Sequence, residues 1–417
     1  MLRLSQYIRT AIQISDSSVP EIPDRRSRAP LQNRGPVVIW NLIRRCNLTC
    51  RHCYASAVDK DFPGELTTAQ VFKTMENLRD FNVPVLILSG GEPLMRPDIF
   101  DISAYAKELG FYVALSSNGT LIDDKNIDQI ANANYDYVGI SLDGLHETHD
   151  YFRRLEGGFD LALRGARLCR DADLPVGIRF TMTRENYQDL PGLLDLVERE
   201  QIDKFYFSHL NYAGRGNHNR KDHAFYNMTR EALLMIFARC EAEIKAGIHR
   251  DYVTGNNDAD GVFLKFWIDQ NYPAASEKIG NLLKRWGGNA SGVNVANIDN
   301  LGNVHPDTMW WQHTLGNVLQ RPFSDIWQDT SDPLLAGLKQ RPRAVGGRCG
   351  ECKYLEICGG NTRTRAYQLT GDPWAEDPGC YLDDGELGIS GQYERIKTVP
   401  FAATKRQGQV EYPSCPR

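Results

Sequence analysis

Long apolar runs are missing from this chain. Stretches such as Val85 to Leu88 end after a few residues, too short to cross a bilayer. The opening MLRLSQYIRT lacks an apolar core followed by a small-residue cleavage site, so export is not expected. No charge of one sign dominates: a net charge of −5 over 417 residues offers no bulk field to nucleic acid or to an anionic membrane, and neither is an expected partner. Internal repeats and long low-complexity segments are also absent. What remains, 41% hydrophobic and 24% charged residues, is the composition of a globular protein, and the length suffices for two or three domains. Cysteine is the exception to this plainness. Ten cysteines without an export signal point to metal or redox chemistry rather than disulfides, and to the cytoplasm.

Residues 1–35 are mixed, basic and proline-containing, and read as an N-terminal arm. Apolar, β-branched runs then begin near Val37, Val83, Val113, Tyr137, Val176 and Phe205, each bounded by Gly, Pro, Asp or Asn. Helical patterns lie between and after them at Thr67–Phe81, Pro97–Leu109, Asp123–Ala133, Phe159–Asp173, Leu190–Gln201 and Thr229–Ala246, with Thr67 and Pro97 as start signals and Gly110 as a stop. Alternation of this kind predicts an α/β fold with a parallel sheet, and six units fit a partial (βα)6 barrel over residues 36–255. Reactive groups in such barrels gather at the C-terminal strand ends. Residues 256–385 read as a smaller second domain. It is helical and irregular to 290, with short strands and turns at Asp299-Asn300 and Leu301-Gly302, and a cysteine-rich end. Residues 386–417 read as a polar C-terminal tail.

The segment RRCNLTCRHCYA directly follows the first strand and carries Cys46, Cys50 and Cys53. Structural zinc takes four ligands, and adjacent His52 is poorly placed to complete a tetrahedron with Cys53. A cubane 4Fe–4S cluster has four irons, so three thiolates leave one iron for a small chelating ligand. Four further segments end consecutive strands. In LSGGEP, Gly90 and Gly91 permit close backbone approach and Glu92 offers a carboxylate to an ammonium group. In LSSNGT, Ser117 and Asn118 suit a ribose or a carboxylate. In ISLDG, Ser141 and Asp143 suit ribose hydroxyls. In IRFTMT, Arg179 suits a carboxylate.

The CxxxCxxC spacing, the aromatic before its last cysteine and the GGE segment resemble the radical SAM superfamily. The resemblance implies S-adenosylmethionine on the open iron, with His52 near the adenine, Tyr54 beside it, and Gly90, Gly91 and Glu92 at the methionine amino group. The second group, Cys349, Cys352 and Cys358 followed after 21 residues by Cys380, provides four thiolates for a closed cluster or zinc. It resembles the SPASM/Twitch extension of these enzymes. Two-cluster members carry further cysteines where this chain has Asp307 and Thr362, so one auxiliary cluster is expected, two 4Fe–4S clusters in all. Those two positions, with His305, are expected to leave room for a large substrate. Cys169 and Cys240 fall on predicted helices as small buried hydrophobes, and Cys415 has no assigned role.

The blocks GPVVIWNLIRRCNLTCRHCY, VPVLILSGGEPLMRPDIF and DKFYFSHLNYAGRGN are similar to the radical SAM branch of heme d1 biosynthesis. This implies a 5′-deoxyadenosyl radical acting on propionate side chains of 12,18-didecarboxysiroheme, and an electron donor such as a flavodoxin or ferredoxin. Such a macrocycle wants guanidinium forks and flat apolar surfaces. Arg215, Arg363, Arg365, Tyr212, Trp310 and Trp311 are candidates, with His209, His305 or His313 as an axial ligand. Rival readings are a heme-pathway propionate decarboxylase, a peptide maturase and a non-catalytic iron–sulfur carrier. The maturase normally carries an N-terminal recognition domain, for which residues 1–35 are too few. The carrier has no need of Glu92, Asn118, Asp143 and Arg179 in order.

Overall fold

The computed structural model describes residues 1–16, 35–398 and 401. Most of the expected arm (17–34), the end of the tail and Cys415 lie outside the described residues. The six expected strands form as β2 (Val37–Ile43), β3 (Val85–Gly90), β4 (Tyr112–Ser117), β5 (Tyr137–Ser141), β6 (Val176–Met182) and β7 (Lys204–His209), after a short β1 (Leu2–Arg3). A seventh parallel strand, β8 (Asp251–Gly255), pairs with β7, and β1 closes its outer edge antiparallel. At the other edge, β9 (Val295–Ile298) runs parallel to β2, and β10 (Asn303–His305) and β11 (Gly316–Asn317) follow antiparallel. One sheet of eleven strands therefore runs through both expected domains, in the order β1-β8-β7-β6-β5-β4-β3-β2-β9-β10-β11.

Side-chain alternation sets the two faces. Leu115, Ile140, Ile178 and Phe205 are fully buried beneath the helices. Their strand neighbours Ser116, Ser141, Arg179 and Tyr206 are half-buried on the opposite face. The helices sit where the periodicity places them: Thr68–Asp80, Ile99–Glu108, Ile127–Asn132, Gly158–Asp171, Leu190–Arg199 and Tyr226–Lys245. Thr67 caps the first reciprocally with Gln70, satisfying two amide donors that the helix start leaves open. Gly110 follows the Ile99–Glu108 helix at φ +83°, a conformation costly for other residues.

The C-terminal portion is bolted to the barrel through buried polar groups. Arg365 and Asp377, both fully buried, meet in a two-pronged pair, Nε–Oδ1 at 2.9 Å and Nη2–Oδ2 at 2.8 Å. Arg365 also donates to the Asn256 carbonyl at the end of β8, and Asn217 Nδ2 donates to Gln368 Oε1 at 2.8 Å. Removing one partner of a buried pair strands the other charge, at about 3–5 kcal/mol. Asp377→Asn is therefore expected to lower the thermal unfolding midpoint markedly in an anaerobic scan, and Arg365→Met with Asp377→Leu to recover much of the loss. An unchanged midpoint in D377N would refute this role.

Candidate functional site

Cys46, Cys50 and Cys53 lie in the loop that leaves β2, at the C-terminal mouth of the barrel. Cys46 and Cys50 are each 6% exposed and form a small buried group with Leu48 and Ala57, with Cys53 packed against it. Burial, with Glu92 nearby, pushes the Cys46 thiol up to about 12, and burial raises Cys50 as well. Thiols so reluctant to ionise alone need a cationic centre to hold them as thiolates. Donors already face the sulfurs: Leu48 N at 3.4 Å and Asn118 Nδ2 at 3.9 Å from Cys46, and Arg153 Nη1 at 3.6 Å from Cys50. Among the described residues no three His, Cys, Asp or Glu side chains converge on a single-ion site. Thiolates that each bind a different iron need no such convergence.

The strand-end segments close on this loop. Glu92 is fully buried, and its carboxylate accepts from Ser117 Oγ and Asn118 N at 2.8 Å and from Leu94 N at 3.2 Å. Burial outweighs these bonds and raises the carboxyl to about 7. With no cation within ion-pair distance among the described residues, it suits an incoming ammonium group. Asn118 Nδ2 reaches Asn47 Oδ1 at 2.9 Å, stitching the β4 end to the cysteine loop. Gly90 and Gly91 also meet the cysteine loop itself. A Cβ on either would overlap the carbonyl oxygens of Ile43, Arg44 and Arg45, so the glycines let the backbone pack against the root of the cysteine loop.

Asp143, expected at a ribose hydroxyl, is turned inward instead. Its Oδ2 pairs with Arg153 Nη2 and lies 3.2 Å from His52 Nε2, while Oδ1 accepts from Thr181 N at 2.8 Å. Burial alone would raise this carboxyl, but Arg153 and His52 hold it far below the usual range. Its backbone N–H donates to His149 Nδ1 at 3.1 Å; burial keeps that imidazole neutral, pushed down to about 4, as an acceptor must be. Ser117 likewise faces Glu92. Ser141 is half-buried, opposite Arg179 in the strand register. Arg179 donates to Ser116 Oγ and lies 5.5 Å from the Tyr206 ring on the hollow face of the sheet. The Tyr54 hydroxyl accepts from Asn41 Nδ2 at 2.7 Å. Arg153 is the participant that no spacing pattern announces.

Most of the expected substrate contacts are committed elsewhere. Arg215 donates to the carbonyls of Cys50 (2.6 Å) and Ala57 (2.9 Å), clamping the cysteine loop. Arg365 is paired with Asp377, and Arg363 is buried among backbone carbonyls. Tyr212 is buried, with its hydroxyl 2.7 Å from Thr398 Oγ1. His209, His305 and His313 face Asp260, Asp299 and Asp332 through Nε2 at 2.9, 3.3 and 2.9 Å, and His305 also sets Nδ1 2.8 Å from the His313 carbonyl, so both of its ring nitrogens are engaged. Trp310 is buried, whereas half-buried Trp311 stacks on His305 and stands 6.2 Å from the Tyr54 ring. Asp307 accepts from Ser291 Oγ and Met309 N, and Thr362 Oγ1 donates to the Asn256 carbonyl. Local bonds fill these positions; they do not open a substrate space.

The second group does assemble. Cys349, Cys352, Cys358 and Cys380 line one cavity with Gly360 and Asn361. Burial raises all four thiols, Cys380 to about 12, and for Cys358 the other three thiolates add to the effect. Four thiols whose ionised forms would repel one another in one buried cavity fit a cationic core.

Comparison with known proteins follows this geometry. The profile of the radical SAM superfamily matches residues 40–197. Pre-heme d1 synthase of Dinoroseobacter shibae is 49% identical over 403 residues, 96% of this chain and 97% of that protein. Fe-coproporphyrin III synthase of Methanosarcina barkeri is 41% identical over 86% of this chain and 90% of that protein. Among solved structures, Streptococcus suis SuiB bound to S-adenosylmethionine shares the fold with a TM-score of 0.67 at 16% identity, covering 84% of this chain and 78% of SuiB.

Two substitutions probe the site in reconstituted protein. Losing a charge-assisted bond of about 1.5–3 kcal/mol weakens binding roughly 10- to 100-fold. Glu92→Gln is expected to weaken S-adenosylmethionine binding by that factor in equilibrium dialysis, with iron content unchanged. Arg215→Ala is expected to lower iron retention at the first cysteine group, read by metal analysis; full retention would refute the clamp.

Proposed function

Because this chain belongs to the radical SAM superfamily, beside pre-heme d1 synthase, we propose that it is a radical S-adenosylmethionine enzyme of heme d1 biosynthesis acting on propionate side chains of 12,18-didecarboxysiroheme. The end-to-end relation to pre-heme d1 synthase, which spans both cysteine-bearing regions, carries this reading. Membership brings a 4Fe–4S cluster and S-adenosylmethionine. When bound, they supply hydrogen-atom abstraction from the substrate.

This chain's residues supply position and exclusion of water. Cys46, Cys50 and Cys53 hold the cluster, and Glu92 receives the amino group of S-adenosylmethionine in a site closed to solvent. Arg153 and Asp143 hold Cys50 and His52 in one orientation. Arg179, on the hollow face, is left for a carboxylate, and Ser141 for a hydroxyl. Trp311 offers a flat face beside Tyr54 for the macrocycle. Cys349, Cys352, Cys358 and Cys380 hold a second 4Fe–4S cluster, and residues 36–255 and 256–385 divide the work between radical site and auxiliary site. A low-potential donor protein such as a flavodoxin or ferredoxin supplies the electron.

The test is anaerobic. Reconstituted, reduced protein receives S-adenosylmethionine and 12,18-didecarboxysiroheme, and 5′-deoxyadenosine and tetrapyrrole mass are followed together. Substrate-dependent 5′-deoxyadenosine with a changed propionate mass is expected. Loss of carbon dioxide alone would move the assignment to the decarboxylase chemistry suggested by the Fe-coproporphyrin III synthase relation. An unchanged tetrapyrrole would overturn the substrate. Cys46→Ala is expected to abolish 5′-deoxyadenosine formation while sparing the iron of the second group.

A further inference from the structure

Two guanidinium groups beside the second cysteine group carry charge into the interior without a carboxylate. Arg363 opens the helix Arg363–Thr370, immediately after the turn that carries Cys358, and is 1% exposed. Its Nη1 donates to the carbonyls of Pro373 (3.2 Å) and Ala375 (2.6 Å) and its Nε to that of Asn361 (3.4 Å). Its buried Nη2 has no partner among the described residues. The guanidinium lies behind the cavity wall: a Cβ on Gly360 would stand 3.5 Å from Arg363 Cζ, and Gly360 and Asn361 line the four-thiol cavity together with Arg348, whose own charge is paired with Asp384. Arg343, 2% exposed, donates to the carbonyl of Gly359 at 3.0 Å, next to Cys358, and otherwise to Leu338 O, Ser291 O and the Asn289 carbonyl and amide oxygens.

The carboxylates in range are already committed. Asp377 gives both oxygens to Arg365, and to Thr362 N and Gly379 N besides. Asp258 accepts from Asn289, and burial raises its carboxyl toward the neutral form. A buried, unpaired guanidinium is expensive, and such charges persist where an anion compensates them. Glu376, also buried, gives its oxygens to the backbone amides of Arg348 and Ile396, and a four-thiolate centre would place further anionic charge beside these guanidinium groups.

We propose that Arg363, assisted by Arg343, is the counter-charge of an anionic four-thiolate centre in this cavity and sets its reduction potential, with the unpartnered Nη2 offered to a sulfur acceptor. The inference rests on the second-cluster assignment made above. Four thiolates around a doubly positive cubane core make a dianion. One electron, from dithionite in the titration, makes it a trianion with no proton or bond change. A neighbouring positive charge favours the more negative state, and hydrogen bonds to sulfur act in the same direction.

The experiment isolates this centre in the full-length chain by converting Cys46, Cys50 and Cys53 to Ala. Iron analysis and electron paramagnetic resonance come first. No iron, or zinc in its place, overturns the cluster assignment and this inference with it. With a cluster present, Arg363→Gln is expected to shift its midpoint potential to more negative values in a dithionite titration, and Arg363→Lys to restore most of the shift. A cluster that loads normally in R363Q with an unmoved potential overturns the inference while leaving the assignment standing. Should R363Q fail to hold iron, restored loading in R363K supports the counter-charge role, and failure of both overturns it.

Discussion

The buried carboxylate of Asp143 is the fixed point of the radical site. It lies two residues beyond β5, yet it grips Arg153 from the following helix and His52 from the cysteine loop. Arg153 in turn reaches the sulfur of Cys50. Three buried thiols do not by themselves fix the shape of the loop that carries them. Here the buried ion pairs of Asp143 with Arg153 and His52 hold it, while His52 Nδ1 and Arg153 Nε have no hydrogen-bond partner among the described residues. Arg215 secures the same loop through its carbonyls, and Gly90 and Gly91 allow β3 to press against its root. The cysteine loop is thus held from the ends of three strands and from the loop after β7.

The sheet explains why these groups coincide. Parallel strands linked by helices bring every strand's C-terminal end to one rim, so Cys46, Glu92, Asn118 and Asp143, distant in sequence, become neighbours. Extension of the sheet beyond β2 by β9, β10 and β11 brings the Trp311 loop to that rim as well. The auxiliary cysteines approach from the opposite edge, through the segment that follows β8.

Much of this was legible in the chain because it depends on local pattern. β6 announces itself as VGIRFTM, and Thr67 with Gln70 writes a helix start in four letters. The cysteine spacings are equally explicit. β8 was hidden because DYVTG is short and its strand character comes from pairing with β7 and β1. Residue types also mislead when the partner is a backbone atom. Arg215 in a glycine-rich loop has the look of a substrate fork, yet its acceptors are the Cys50 and Ala57 carbonyls, which no side-chain pattern displays. Arg153 escaped notice for the same reason, since its role exists only once the helix His146–Arg153 is folded over the loop.

The pairing of β2 with β9 joins Val37 to Val295, a separation of 295 − 37 = 258 residues. A nascent chain completes the strands from β2 to β8 long before β9 leaves the ribosome. Throughout that interval one edge of β2 displays unpaired amides and carbonyls, the kind of edge to which another chain adds. The strand that eventually covers it belongs to the auxiliary portion, so late-made sequence protects early-made sequence. Contacts of such long separation also slow folding. The C-terminal portion therefore does more than carry the second cysteine group: it covers the edge of β2 that the barrel strands leave open.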